Sequence, residues 1–175
     1  MEEMALLMPR YRFHSVLEIT PEDLKKMGAT AVALDIDNTL APDGTFHYID
    51  GAVAWVNRIK AAGFPVMLVS NGSFVRVGPI AKHFNLPYVC FSGKPKPKGI
   101  LKAAERMQTP IEQVAMIGDQ LFSDIKAANT CGAIAVRTDP TTGRNLYPLF
   151  YKWNYKREAP ILREFEKTHG YGVEK

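Results

Sequence analysis

Short apolar runs recur along the chain, and each is followed by polar residues. Four of them occupy residues 31–34, 66–69, 88–91 and 114–117. Turn-forming residues bound each run and helix-like stretches separate them, a pattern that predicts buried parallel strands. Because ligands of such sheets bind outside the carboxyl ends of the strands, the polar residues after the runs are expected to converge at one edge.

The stretches between the runs carry helix signals. Residues 20–23 supply a threonine N-cap, a proline in the first turn and early acids. A second helix is predicted to open at Asp50, and residues 109–112 have the composition of a capping box. Two further elements are predicted near the end of the pattern: a helix over residues 123–131 and a fifth strand over residues 133–136.

The first apolar run ends in two acids with one residue between them, Asp35 and Asp37. Alternate residues of an extended strand end point the same way, so the two carboxylates are expected to share a face and repel each other. A cation or a proton between them would relieve that repulsion, and oxygen ligands of this kind suit Mg²⁺. The alternative is a solvated acidic turn in which Asn38 and Thr39 act as local caps.

Polar residues follow the later runs as well. They are Ser70 and Asn71 after the second run, Lys94 after the third, and Asp119 and Asp124 after the fourth. Lys94 and Lys96 are each followed directly by a proline, so either could be the lysine of the site. The phasing into the next helix favours Lys94. Ser70 could instead be a strand-ending hydroxyl, and Asp124 could be a helix cap.

Four ordered motifs of this kind resemble the haloacid dehalogenase (HAD) superfamily of aspartyl-phosphate phosphatases. The matching segments are residues 35–39, 70–71, 94–95 and 118–124, so the resemblance spans roughly residues 31–136. Together with residues 19–22 they resemble the capless type IIIA branch, and within it the YqeG-type family related to phosphatidylglycerophosphate phosphatases.

The resemblance implies an α/β, three-layer Rossmann-like fold with a mostly parallel sheet and no separate cap domain. The gaps over residues 41–50 and 72–93 are indeed too short for a lid domain of typical size. The resemblance also implies a Mg²⁺-dependent phosphoric monoester hydrolase. The expected roles are Asp35 as nucleophile, Asp37 as general acid and base, Lys94 as charge stabiliser, Ser70, Asn71 and Lys94 as phosphate ligands, Asp35, Asp119 and the Asp37 backbone carbonyl as metal ligands, and Asp124 as a supporting residue.

Length and composition agree with one domain over residues 1–175, with its core at about residues 29–137. At 175 residues and 46% hydrophobic content, the chain can bury a sizeable core without disulfides. Cys90 and Cys131 have no metal-binding spacing, and the acidic start is unlike a signal peptide. A cytoplasmic protein is expected, with peripheral attachment to the inner face of the membrane as an option, and the oligomeric state stays open.

Two terminal segments remain outside the core, and they either pack on it or form a docking surface. Residues 144–157 interleave aromatic and basic side chains, and residues 6–12 combine apolar and basic ones. Such compositions suit an anionic membrane surface, and they also suit single-stranded nucleic acid, although nucleic acid is not the favoured partner. Packing across the sheet edge or a dimer contact is the plainer alternative. The net charge of +4 separates none of these.

The favoured substrate at this stage is phosphatidylglycerophosphate. Nucleotides, nucleic-acid ends and soluble phosphometabolites are the enzymatic alternatives. Two readings belong to other classes: a receiver-like domain that stores phosphoaspartate, and a non-catalytic adaptor for a membrane or a protein. The intact set of Asp35, Asp37, Lys94 and Asp119 argues against the adaptor.

Overall fold

One six-stranded parallel sheet organises the molecule in a computed structural model that describes residues 2–141 and 148–173. Its strands are β1 Tyr11–Phe13, β2 Ala31–Leu34, β3 Val66–Val69, β4 Tyr88–Val89, β5 Val114–Gly118 and β6 Ile134–Thr138. Their spatial order is β1-β6-β5-β2-β3-β4, and every neighbouring pair is parallel. The predicted α/β architecture with a mostly parallel sheet is confirmed.

Helices cover both faces of the sheet and give three layers. They are α1 Glu2–Leu7, α2 Pro21–Lys26, α3 Ala52–Ala61, α4 Phe74–Phe84, α5 Lys98–Arg106, α6 Lys126–Cys131 and α7 Pro148–Thr168. A π-helical segment, Leu121–Ile125, precedes α6. The described residues contain no separate cap domain. None of the helices in the described ranges is long and apolar enough to cross a membrane.

Burial on both faces explains why the sequence of the central strand is one apolar run. All four residues of β2 are buried, and successive side chains enter opposite cores. Val32 and Leu34 join the core beneath α3 and α4, whereas Ala31 and Ala33 join the core beneath α5 and α6. A strand covered on both faces has no polar side, so its sequence does not alternate.

The helix signals were right in most places. Thr20 caps α2, with its Oγ1 accepting a hydrogen bond from the Asp23 backbone N–H at 3.1 Å. The second helix begins at Ala52, because Gly51 takes a left-handed conformation just before it. The capping box over residues 109–112 is wrong: Thr109 Oγ1 donates to the Met107 carbonyl at 3.1 Å, and only a 3₁₀ turn follows.

The amino-terminal segment packs into the fold through part of its residues. Leu7 lies in a core, and the Asn129 side-chain amide donates to the carbonyls of Leu6 and Met8 at 2.9 and 2.8 Å. Arg12 is buried and pairs with Asp139 at 2.8 Å. The buried side chains of residues 6–12 therefore pack on the core, whereas Arg10 is exposed and a docking role for the segment stays a prediction.

Candidate active site

Asp35 lies immediately after the central strand, at the carboxyl edge of the sheet. Its backbone N–H donates to the Ile117 carbonyl at 2.9 Å, which continues the β2–β5 pairing to this residue. Its carboxylate oxygen Oδ1 accepts a hydrogen bond from Lys94 Nζ at 2.6 Å. The side chain is buried, and burial raises the pKa of the Asp35 carboxyl, an effect that the Lys94 ammonium opposes.

Lys94 is the lysine that reaches the site. Its Nζ lies 2.7 Å from Asp124 Oδ1 and donates to the Val69 carbonyl at 2.7 Å, in addition to its contact with Asp35. Burial alone would lower the pKa of Lys94, but the two carboxylates outweigh burial and raise it. Lys96 is exposed. The structure thus brings Lys94, and not Lys96, to Asp35.

Asn71 holds the lysine loop in place. Its Oδ1 accepts from the Lys94 backbone N–H at 2.9 Å and from the Ser92 hydroxyl at 2.7 Å, and its Nδ2 donates to the Lys94 carbonyl at 2.9 Å. These contacts occupy the amide that the sequence assigned to phosphate. Ser70 also lines the cleft, with its hydroxyl oxygen accepting from the Gly72 N–H at 3.0 Å.

Three buried acids form a candidate metal site. Asp35, Asp119 and Asp124 each offer a carboxylate oxygen, and these oxygens lie within 4.8 Å of one another. Burial, together with the neighbouring carboxylates, raises the pKa of Asp119 well above its ordinary value. Its Oδ1 is buried without a hydrogen-bond partner among the described residues. A divalent cation would fit this all-oxygen set and relieve its mutual repulsion.

The position of Asp124 depends on Gly118. A side chain at Gly118 would place its Cβ 2.4 Å from the Asp124 carboxyl carbon, so only glycine leaves room at the end of β5. Asp124 Oδ2 also accepts from the Gln120 backbone N–H at 3.1 Å. The residue therefore braces Lys94 from inside the π-helical segment.

Asp37 lines the cleft and forms an ion pair separate from that of Asp35. Arg76, from the first turn of α4, forms an ion pair with Asp37 Oδ1, and the Gly44 N–H approaches the same oxygen at 3.4 Å. Lys94 and Arg76 thus pair with Asp35 and Asp37 separately, and a metal ion held by both residues stays a prediction. Sequence reasoning missed Arg76, whose only signal was its place in the helix that follows the Ser70 motif.

The carboxy-terminal helix also reaches the site, which sequence reasoning missed. The Tyr155 hydroxyl donates to Asp119 Oδ2 at 2.7 Å. Glu158 Oε1 accepts from the Leu121 N–H at 2.7 Å, and buried Asn154 lines the cleft. The predicted docking segment 144–157 therefore lies partly in the active site, while its residues 144–147 fall outside the described ranges.

These side chains border an open cleft with a volume of about 510 Å³. It is lined by Asp35, Asp37, Asp43, Ser70, Asn71, Lys94, Pro95, Gln120, Phe122, Ser123, Asp124 and Asn154. Large apolar side chains stand exposed on the segments that supply this lining. They include Phe74 and Phe91 in the segments that follow β3 and β4, and Leu149 and Trp153 on α7. We call these four residues the apolar rim.

Comparisons with known proteins bear on the chemistry of this cleft. A family model described as haloacid dehalogenase-like hydrolase matches residues 45–132. A probable phosphatase, YqeG of Bacillus subtilis strain 168, is 30% identical over 153 residues, which cover 87% of this chain and 88% of the relative.

Solved structures share the fold. One is a 3-deoxy-D-manno-octulosonate 8-phosphate phosphatase from Moraxella catarrhalis in complex with magnesium, phosphate and the sugar acid KDO. It is 16% identical with a TM-score of 0.52, covering 86% of this chain and 100% of the other. Another is the cobalt-bound deoxy-D-mannose-octulosonate 8-phosphate phosphatase of Haemophilus influenzae, with 15% identity, a TM-score of 0.50, and coverage of 64% and 69%. The chain belongs to the haloacid dehalogenase-like hydrolases and is a phosphatase.

Proposed function

We propose that this haloacid dehalogenase-like hydrolase cleaves phosphate monoesters in two steps through a phosphoaspartate at Asp35, with Mg²⁺ as its cation. The observation that carries the proposal is the position of Lys94 Nζ, 2.6 Å from Asp35 and 2.7 Å from Asp124, beside the three-acid cluster. A buried nucleophile next to a fixed cation is what phosphoryl transfer requires, because the reaction is governed by positioning and charge neutralisation.

In the first step, a carboxylate oxygen of Asp35 forms a bond to phosphorus while the bond from phosphorus to the ester oxygen breaks. Asp37 gives a proton to the departing alkoxide. Lys94 offsets negative charge on the phosphoryl oxygens and on Asp35, and Ser70 with neighbouring backbone N–H groups holds those oxygens. Arg76 contacts Asp37 Oδ1 and holds this side chain at the cleft, and the proton that Asp37 donates is carried on its other oxygen, Oδ2.

In the second step, a water molecule attacks phosphorus of the phosphoaspartate. Asp37 takes a proton from that water, the bond between phosphorus and the Asp35 oxygen breaks, and inorganic phosphate leaves. Asp35 and the proton on Asp37 are then restored for the next cycle. Splitting the hydrolysis in this way replaces one difficult displacement with two easier ones.

The cation would be held by Asp35, Asp119 and the backbone carbonyl of Asp37, with Asp124 behind them. The donors are all oxygens, and Asp119 Oδ1 is buried without a hydrogen-bond partner in the described part of the chain. When bound, Mg²⁺ would neutralise charge on the transferring phosphoryl group.

The favoured substrate is phosphatidylglycerophosphate. The open cleft supports it, since the described residues provide no cap to exclude water and a surface must complete the site. The apolar rim supports it too, because exposed aromatic side chains suit the interface of a bilayer. A cytoplasmic protein attached peripherally to the inner leaflet would meet this substrate at that interface.

Phosphate release tests the proposal directly. Phosphatidylglycerophosphate in mixed micelles is compared with a panel of nucleotides, oligonucleotide 3′- and 5′-phosphates and sugar phosphates, each with wild type and Asp35→Asn. We expect the highest kcat/KM for the lipid and no turnover by the variant. A preference for a soluble monoester would overturn the lipid assignment and leave the mechanism intact, whereas turnover by Asp35→Asn would overturn the mechanism.

A further inference from the structure

Helix α7 contacts the strand-end segment that carries the metal-site acids at three successive points. Tyr155 donates to Asp119 Oδ2 at 2.7 Å, Glu158 accepts from the Leu121 N–H at 2.7 Å, and the Arg157 guanidinium lies 4.4 Å from the ring centroid of Phe122. The family model ends at residue 132, so α7 lies beyond the part of the chain that it matches.

We infer that Tyr155 is a positioning residue for Asp119, and that α7 is thereby a working part of the phosphatase site. The inference rests on the proposed cation site. Asp119 is fully buried, so its orientation depends on the few groups that touch it. The Tyr155 hydroxyl holds Oδ2, and Oδ1 is left without a hydrogen bond from the described residues.

One oxygen of Asp119 is thus fixed by the protein, and the other, buried and without a hydrogen bond from the described residues, is available to a cation. Such an outer hydrogen bond stops a ligating carboxylate from rotating, and loss of a partner of this kind typically costs 10- to 100-fold in metal affinity or activity. The opposite arrangement would be a tyrosine that competes with the cation for Asp119. The two arrangements predict opposite changes in affinity when the hydroxyl is removed.

Mn²⁺ binding gives a readout that does not depend on turnover. Mn²⁺ is titrated into wild type and Tyr155→Phe, and free Mn²⁺ is followed by electron paramagnetic resonance. We expect the Kd of Tyr155→Phe to rise about tenfold or more. Tyr171→Phe is the matched control, because it removes a hydroxyl that donates to Asp139 at 3.0 Å, away from the acid cluster, and should leave the Kd unchanged.

Three comparisons separate the inference from its premise. Asp119→Asn should abolish Mn²⁺ binding, and if it does not, the proposed cation site fails. If Asp119→Asn loses binding while Tyr155→Phe binds as well as wild type or better, only the positioning role fails. Tyr155→His, which keeps a ring and a donor, should bind more tightly than Tyr155→Phe if the donor matters, and equal binding would contradict the role.

Activity at varied Mg²⁺ adds a second criterion. A positioning residue shifts the Mg²⁺ requirement, so Tyr155→Phe should recover most of its kcat at saturating Mg²⁺. A loss of kcat that no concentration of Mg²⁺ restores, in protein with an unchanged melting temperature, would overturn the inference.

Discussion

At the scale of single residues, two basic side chains neutralise different acids of the site. Lys94 contacts Asp35 and Asp124, whereas Arg76 contacts Asp37. The proposed nucleophile and the proposed acid–base group can therefore remain close without sharing one basic side chain. Lys94 could be predicted from the sequence because it follows a strand. Arg76 could not, because only the packing of α4 brings it to Asp37.

Replacement of the proposed nucleophile is the first prediction. Asp35→Asn should abolish measurable turnover, a fall in kcat of at least roughly a thousandfold, because an amide cannot act as the attacking carboxylate. Rapid acid quenching with ³²P-labelled substrate should trap phosphoenzyme in wild type and none in the variant. Exposed Asp50 is the control, and Asp50→Asn should keep both activity and labelling. Labelling of folded Asp35→Asn would assign the nucleophile elsewhere.

The second prediction concerns the buried cation. Lys94→Met leaves the carboxylates of Asp35 and Asp124 buried without their partner, which should cost about 3–5 kcal/mol of unfolding free energy in the metal-free protein. Urea unfolding in EDTA measures that loss, and saturating Mg²⁺ should recover part of it.

Lys96→Met is the matched control for this experiment. Lys96 is exposed, so its loss should change the unfolding free energy by no more than about 0.5 kcal/mol. Equal effects of the two substitutions would mean that Lys94 does not hold the acids together.

At the scale of elements, the strands of the sheet's interior were the most predictable. Residues 31–34 and 66–69 match β2 and β3 as observed, because a strand buried on both faces is a plain apolar run. The three-residue edge strand β1 carried no such signal, since Arg12 within it is buried through ion pairs with Asp139 and Glu166. The π-helical segment was likewise hidden, because its sequence continues into α6 as one helical pattern.

The third prediction tests how α7 is anchored. Burial raises the pKa of Glu158 to about 7, although Arg137 opposes this effect. A glutamate with a raised folded pKa is more easily protonated in the folded state. The wild type should therefore lose stability as the pH rises from about 4.5 through about 7, by as much as about 3 kcal/mol.

Glu158→Gln should remove the part of this loss that comes from Glu158, since glutamine does not titrate and its carbonyl can still accept from Leu121. Urea unfolding in EDTA at pH 5, 6, 7 and 8 gives the difference between the two proteins at each pH. Glu164→Gln, on an exposed turn of the same helix, should keep the pH dependence of the wild type. Parallel curves for wild type and Glu158→Gln would show that Glu158 does not titrate in this range.

At the scale of the whole molecule, the parallel sheet explains how much of the site could be predicted. Asp35, Ser70, Lys94 and Asp119 follow strands or strand-end loops, and parallel strands deliver them to one edge. The contribution of α7 could not be foreseen. Tyr155 reaches Asp119 from 36 positions away, and no periodic signal in an aromatic and basic segment distinguishes a helix over the site from a free docking surface.

The apolar rim provides the last prediction, which concerns the substrate. Leu149 and Trp153 lie one turn apart on α7 with 81% and 56% of their surfaces exposed, and the Arg157 guanidinium lies 4.6 Å from the Trp153 ring centroid. Full burial of a side chain of the leucine class stabilises by about 1.5–3 kcal/mol. The double variant Leu149→Ser with Trp153→Ser should therefore bind anionic vesicles at least about tenfold more weakly.

In this double variant, hydrolysis of the lipid should fall while hydrolysis of a soluble substrate should not. The double variant should lose phosphatidylglycerophosphate hydrolysis in proportion to vesicle binding and keep its kcat/KM for p-nitrophenyl phosphate, because neither side chain belongs to the catalytic set. Leu101→Ser, at an exposed leucine of α5, is the control and should change neither activity. A parallel loss of both activities would mean that the two side chains support α7 over the site. If neither activity changes, the rim does not dock to lipid, and a soluble phosphomonoester becomes the better substrate.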